Sequence, residues 1–91
     1  MIFISTDFNI QRAIEIFSET SGIPAEKIDL DQPLEQLEIQ SIAYVNIIIQ
    51  FEAEYDIEFE PDAFIATKFI SLKDFFLYIE NLCISRQEGE E

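Results

Sequence analysis

The strongest pattern in the chain runs from Ser41 to Tyr55, SIAYVNIIIQFEAEY, where only Asn46, Gln50, Glu52 and Glu54 interrupt the apolar residues. At about 100° per residue, Tyr44, Ile47, Ile48, Phe51 and Tyr55 fall on one face of a helix. Ile42, Val45, Ile49 and Ala53 fall on nearly the opposite face. A surface helix ordinarily buries one apolar face and solvates the other. The second stripe therefore needs a larger core, a partner, or exposure at a cost in solubility. Ser41 stands where a hydroxyl can accept a bond from an orphan backbone N–H, which predicts it as the helix N-cap.

The flanking patterns are simpler. Ile10, Ala13, Ile14 and Phe17 recur at i, i+3, i+4 and i+7, predicting a helix near residues 7–21 capped by Thr6 or Asp7. Gly22 and Pro24 supply its stop. Residues 23–40 form a long connection, pinned through Ile28, Leu30, Leu34 and Leu37, that delivers Ser41. The run from Glu54 to Glu60 alternates acid and apolar residues like a strand. No second strand pattern is present to pair with it, so a helix end followed by a loop is expected. Pro61 can open a short helix near 62–67. Ser71 and Asp74 signal the start of a last helix near 71–84, with Leu72, Phe75, Phe76, Ile79, Leu82 and Cys83 as its buried stripe. Met1 to Ser5 reads as a short extension packed through Phe3, and residues from Ser85 onward as a polar, frayed tail. The expected core comprises Ile14, Phe17, Leu30, Leu37, Ile47, Phe51, Phe59, Phe75 and Ile79. The expected fold is an all-α bundle of four helices, the third short, with a long loop between helices 1 and 2.

Composition narrows the function. The chain has 91 residues, enough for one small domain, and its nine Phe and three Tyr can build a real core. It carries 19 acids and 5 bases, a formal net charge of −14. That argues against nucleic acid, whose phosphates require clustered Lys and Arg, and against anionic membrane surfaces. It favours partners with a basic docking patch. Cys83 is the single cysteine, so no intrachain disulfide can form. Neither a secretory signal nor a membrane-spanning run is recognisable, and a cytoplasmic location is expected.

The chain contains no histidine, the usual general base and the usual activator of a serine nucleophile. No G-x-S-x-G elbow surrounds Ser41, and no glycine-rich phosphate loop is present. The acids from Glu52 to Asp62 lack the glycine of an EF-hand loop and read as a solvated rim, so no metal site is expected. Cys83 reads as a small buried hydrophobe. An enzyme is not expected. Ser41 is then either a simple cap or a serine that receives a group from another enzyme.

From Asp7 to Leu82 the chain resembles the acyl carrier protein family, which includes peptidyl carriers. The resemblance rests on the approach Leu34, Leu37, Ser41 and Ile42, on the segment Glu52-Ala53-Glu54-Tyr55-Asp56-Ile57, and on the last helix Ser71-Leu72-Lys73-Asp74-Phe75-Phe76-Leu77-Tyr78-Ile79. It implies an extension over residues 1–6, a carrier domain over 7–84 and a tail over 85–91. It further implies that Ser41 carries 4′-phosphopantetheine, donated covalently by coenzyme A, whose thiol holds acyl or aminoacyl groups as thioesters. The implied partners are a phosphopantetheinyl transferase and the enzymes that load and transfer those groups, with the carrier itself a monomer. Two positions depart from the family's L-G-x-D-S-L: Glu38 replaces the glycine and Gln40 the aspartate. Glu resists backbone angles that Gly allows, and the aspartate beside the serine is one that the transferase can use. Ala43 and Asn46 stand where many fatty-acid-type carriers have acids, which points to a specialised carrier.

Ile42, Val45 and Ile49 are expected to face solvent beside Ser41 and dock partner enzymes, with Glu38 and Glu52 orienting them. The alternatives are an unmodified, carrier-like interaction domain and a homodimer sealed by the second stripe.

Overall fold

The computed structural model describes residues 8–37, 39–65 and 69–88. The first helix, α1, spans Ile10–Ser21. Its cap is Asn9, whose side chain accepts bonds from the N–H groups of Gln11 and Arg12. Thr6 and Asp7, the expected caps, lie outside the described residues; Asn9 supplies an equally good short oxygen closer to the helix. Gly22 ends α1 in the left-handed region at φ 84°, where glycine has no Cβ to clash.

The connection after α1 is held at both ends. Ser18 Oγ donates to the Ile23 carbonyl at 2.7 Å. Two short 3-10 turns, Ala25–Lys27 and Leu34–Leu37, shape its middle. The carbonyls of Gln32 and Leu30 then accept from the N–H groups of Leu72 and Lys73, at 3.1 and 2.8 Å. Those are first-turn donors of the last helix, which have no intrahelical partner. The long loop thus satisfies them while Leu34 is buried and Ile28, Leu30 and Leu37 are partly buried against the core.

The helix α2 spans Ser41–Tyr55. Asp56 caps it at φ 56°, a left-handed conformation that Asp tolerates better than most side chains. The acid–apolar alternation that follows forms no strand: Ile57 and Phe59 are buried and Glu58 and Glu60 exposed along an irregular segment. The expected short helix is a single 3-10 turn, Pro61–Phe64, with Pro61 at its start. Ile65 takes extended angles and ends it there, so the described residues hold three α-helices rather than four. Residues 66–68, the end of that expected helix, lie outside the described residues.

The helix α3 spans Leu72–Glu88, with Ser71 Oγ accepting from the Asp74 N–H at 3.3 Å as the sequence signal predicts. It runs past residue 84 into the polar stretch expected to fray, and Arg86 within that stretch bonds Asp56 at 2.8 Å.

The core is aromatic. Phe75 is fully buried and meets the rings of Phe17, Tyr44, Phe51, Phe59, Phe69 and Phe76 at centroid distances between 5.3 and 6.3 Å. Tilted and edge-on pairs at such spacing add to the burial energy. The expected core residues Phe17, Ile47, Phe51, Phe59, Phe75 and Ile79 are buried, while Ile14, Leu30 and Leu37 pack only partly against them. On α1, Ile16 takes the buried place expected for Ile10, which is 38% exposed.

Candidate functional site

Ser41 is the first residue of α2 rather than its cap; Gln40, in extended conformation, holds the cap position and makes no side-chain capping bond. The difference is one residue, but it changes the chemistry. A capping serine would spend its hydroxyl on a backbone N–H. The exposed Ser41 makes no hydrogen bond to a described residue, so its hydroxyl is available. The first-turn N–H groups of α2 are likewise without a side-chain acceptor from Gln40. They and the helix dipole place partial positive charge beside Ser41.

The two faces of α2 separate as the wheel predicts. Tyr44, Ile47, Ile48, Phe51 and Tyr55 are buried. Ile42 is 77% exposed and Ile49 47%, with Val45 half-buried between them. Ser41, Ile42, Val45 and Asn46 line one shallow depression of about 210 Å³. The hydroxyl of Tyr44 donates to the Ala63 carbonyl at 2.8 Å and pins the Pro61–Phe64 turn onto α2. Burial pushes the Tyr44 hydroxyl ionisation well above the ordinary tyrosine range.

Glu52 makes a contact within the chain that its expected role beside partners did not include. Its carboxylate accepts from the Phe59 N–H at 2.9 Å, and its backbone carbonyl accepts from the N–H of Ile57. It fastens the segment after α2. Glu38, the other acid expected to orient partners, lies outside the described residues. The Glu52 clamp has no sequence signature, because a carboxylate seven residues from an irregular N–H follows no periodicity.

Among the described residues no cluster of His, Cys, Asp or Glu could hold a metal ion, and no helix is long and apolar enough to cross a membrane.

This arrangement is an exposed serine at the head of a helix with uncapped amides, flanked by an apolar stripe. It coincides with a family match: the phosphopantetheine attachment site model covers residues 11–75. The chain belongs to that family, whose domains carry a 4′-phosphopantetheine prosthetic group and serve as carriers. Family members work with phosphopantetheinyl transferases and biosynthetic enzymes. No curated protein matches the chain. The residues at the head of α2 fit the group: a solvent-facing hydroxyl can form its phosphodiester, and the first-turn amides that no Gln40 side chain caps, with the helix dipole, favour the negative charge that results.

Proposed function

We propose that Ser41 is the attachment point of the phosphopantetheine and that the chain is a specialised carrier of acyl or aminoacyl thioesters. The observation that supports this most is the free, exposed Ser41 hydroxyl at the first position of α2, beside the exposed Ile42 and Ile49. When bound, the group supplies a thiol on a flexible arm that holds cargo as a thioester. The protein's own residues do the rest. Ser41 provides the nucleophilic oxygen, activated by the modifying enzyme, because the chain has no histidine of its own. Ile42, Val45 and Ile49 give partner enzymes an apolar grip that begins one residue after the attachment point. The net charge of −14 steers partners with basic docking faces. The carrier works as a cytoplasmic monomer.

Incubating the purified protein with coenzyme A and a broad-specificity phosphopantetheinyl transferase tests the reading. Intact mass should rise by one phosphopantetheinyl group, and Ser41→Ala should abolish the gain while leaving the helical circular dichroism unchanged. A folded protein that gains nothing with several transferases would instead favour an unmodified interaction domain. Restoring the family residues through Glu38→Gly with Gln40→Asp would then show whether those two departures block modification.

A further inference from the structure

The exposed face of α2 differs from the rest of the chain in charge as well as in hydrophobicity. From Ile39 to Phe51, thirteen consecutive residues carry no charged side chain, although 26% of the chain is charged. Along α2 that run covers about 15 Å, or roughly three turns. The helix holds two charged residues, Glu52 and Glu54, and both are already engaged within the chain. Glu52 accepts from the Phe59 N–H at 2.9 Å. Glu54 accepts from Arg12 through both carboxylate oxygens, at 3.2 and 3.3 Å. The exposed polar residues between the helix head and these acids are the neutral amides Asn46 and Gln50.

Resting on the carrier reading of Ser41, we propose that the partner surface seated on this face is apolar and uncharged, and that Asn46 excludes basic side chains from the contact. An enzyme that modifies Ser41 must cover its neighbours. A specific interface takes about 800 Å² from each partner, so it reaches Ile42, Val45 and Asn46, which line one depression with Ser41. A partner Lys or Arg placed there loses water and finds no free carboxylate on α2 to pair with, which costs affinity. An apolar surface loses nothing of that kind. It gains the burial of Ile42, 77% exposed in the free chain, and of Ile49, 47% exposed. The Asn46 amide requires only a hydrogen bond. The acids behind the net charge of −14 lie outside the run, so they steer the encounter at longer range. A partner steered by them keeps its basic groups off this face.

Two phosphopantetheinyl transferases make the test. In one, the cleft that receives the helix after the serine is apolar and uncharged; in the other, it is lined by Lys and Arg. Intact mass follows modification of the full chain, and kcat/KM is measured with each. Wild type should favour the uncharged cleft by about tenfold. Asn46→Glu should slow modification by that enzyme, speed it with the basic cleft, and so reverse the preference. Asn46→Gln, which keeps the amide, should hold the wild-type preference. Gln50→Glu, one turn further on, should shift the preference in the same direction as Asn46→Glu, and circular dichroism checks that each variant is folded. A wild-type preference for the basic cleft would overturn the proposal. So would a preference that neither acid variant moves. Both results leave the carrier reading standing, because the protein is still modified at Ser41. No mass gain with either transferase would instead remove that reading, and the uncharged partner with it.

Discussion

The two faces of α2 have similar composition and opposite fates. One presents Tyr44, Ile47, Ile48, Phe51 and Tyr55, none more than 7% exposed. The other presents Ile42, Val45 and Ile49, of which Ile42 is 77% exposed. Hydrophobicity does not decide between them, since isoleucines stand on both. What differs is the neighbour. The buried face meets α1 and the Phe75 ring cluster, which already fill the interior. The other face lies beside Ser41, where a covering element would obstruct access to the hydroxyl. An exposed apolar stripe reduces solubility, and the net charge of −14 offsets that by keeping copies apart.

The sharpest contrast comes from truncation on each face. Phe51→Ala should destabilise by about 3–5 kcal/mol, since the ring is fully buried and its loss leaves a cavity among Phe75, Phe76 and Tyr55. Ile49→Ala should change stability by less than about 0.5 kcal/mol, as for most exposed positions. Urea unfolding of the two variants measures both, and similar losses would erase the distinction between the faces.

Tyr44 tests the same face through its polar end. Removing its hydroxyl leaves the Ala63 carbonyl unpaired, so Tyr44→Phe should cost about 1–3 kcal/mol. It should also change the alkaline limb of the stability profile. Burial holds the folded-state pKa of Tyr44 above the unfolded value of about 10. The folded state therefore retains the proton more tightly, and this contribution is full below about pH 10 and is lost as pH rises further. Wild type should lose stability above that pH with a slope approaching about 1.4 kcal/mol per pH unit for this residue. In Tyr44→Phe the slope should be shallower by that amount; equal slopes would show that the hydroxyl is not held neutral.

How far the sequence reaches is visible along α2 itself. The division of its two faces and its end at Tyr55 follow from periodicity, because burial on a helix repeats with the turn. The Ser71–Asp74 start of α3 was equally legible, because that signal is local. The cap of α2 was not: Ser41 is the better capping residue by type, yet the backbone places Gln40 there. The fold of residues 23–40 sets which residue enters the helix first, and loop bonds such as that from the Leu72 N–H to Gln32 have no sequence signature. The same blindness hid the Glu52 clamp on Phe59 and the reduction of the short helix to one 3-10 turn.

That misplaced cap gives a smaller, opposite-signed prediction. Gln40 sits in the cap position without a capping bond, and Asp is among the best residues there. Gln40→Asp should stabilise the unmodified protein by about 1 kcal/mol through the new bond and the helix dipole. A thermal melt reads the gain. A lower melting temperature would mean that the side chain cannot reach the first-turn amides.

A small expected effect on stability at Val45 is also the most informative about function. Val45 lies between Ile42 and Ile49 and lines the depression that includes Ser41, half-buried rather than in the core. Val45→Glu puts a charge on the stripe without forcing it into the interior. If the stripe serves partners, the melt should stay near wild type, within about 1 kcal/mol, and modification by the transferase should slow sharply. The added acid matters less as charge, on a chain already at −14, than as the loss of an apolar contact at the centre of the grip. Each such side chain buried at an interface contributes about 1.5–3 kcal/mol, which corresponds to a rate loss of roughly 10- to 100-fold if the contact forms in the docked complex. A stripe sealed into a core would answer differently. An unpaired charge there would lower stability by several kcal/mol, and slower modification would then only report unfolding. Measuring the melt and the modification rate on the same preparation keeps the two apart, and a large loss of stability would end the docking reading of this face.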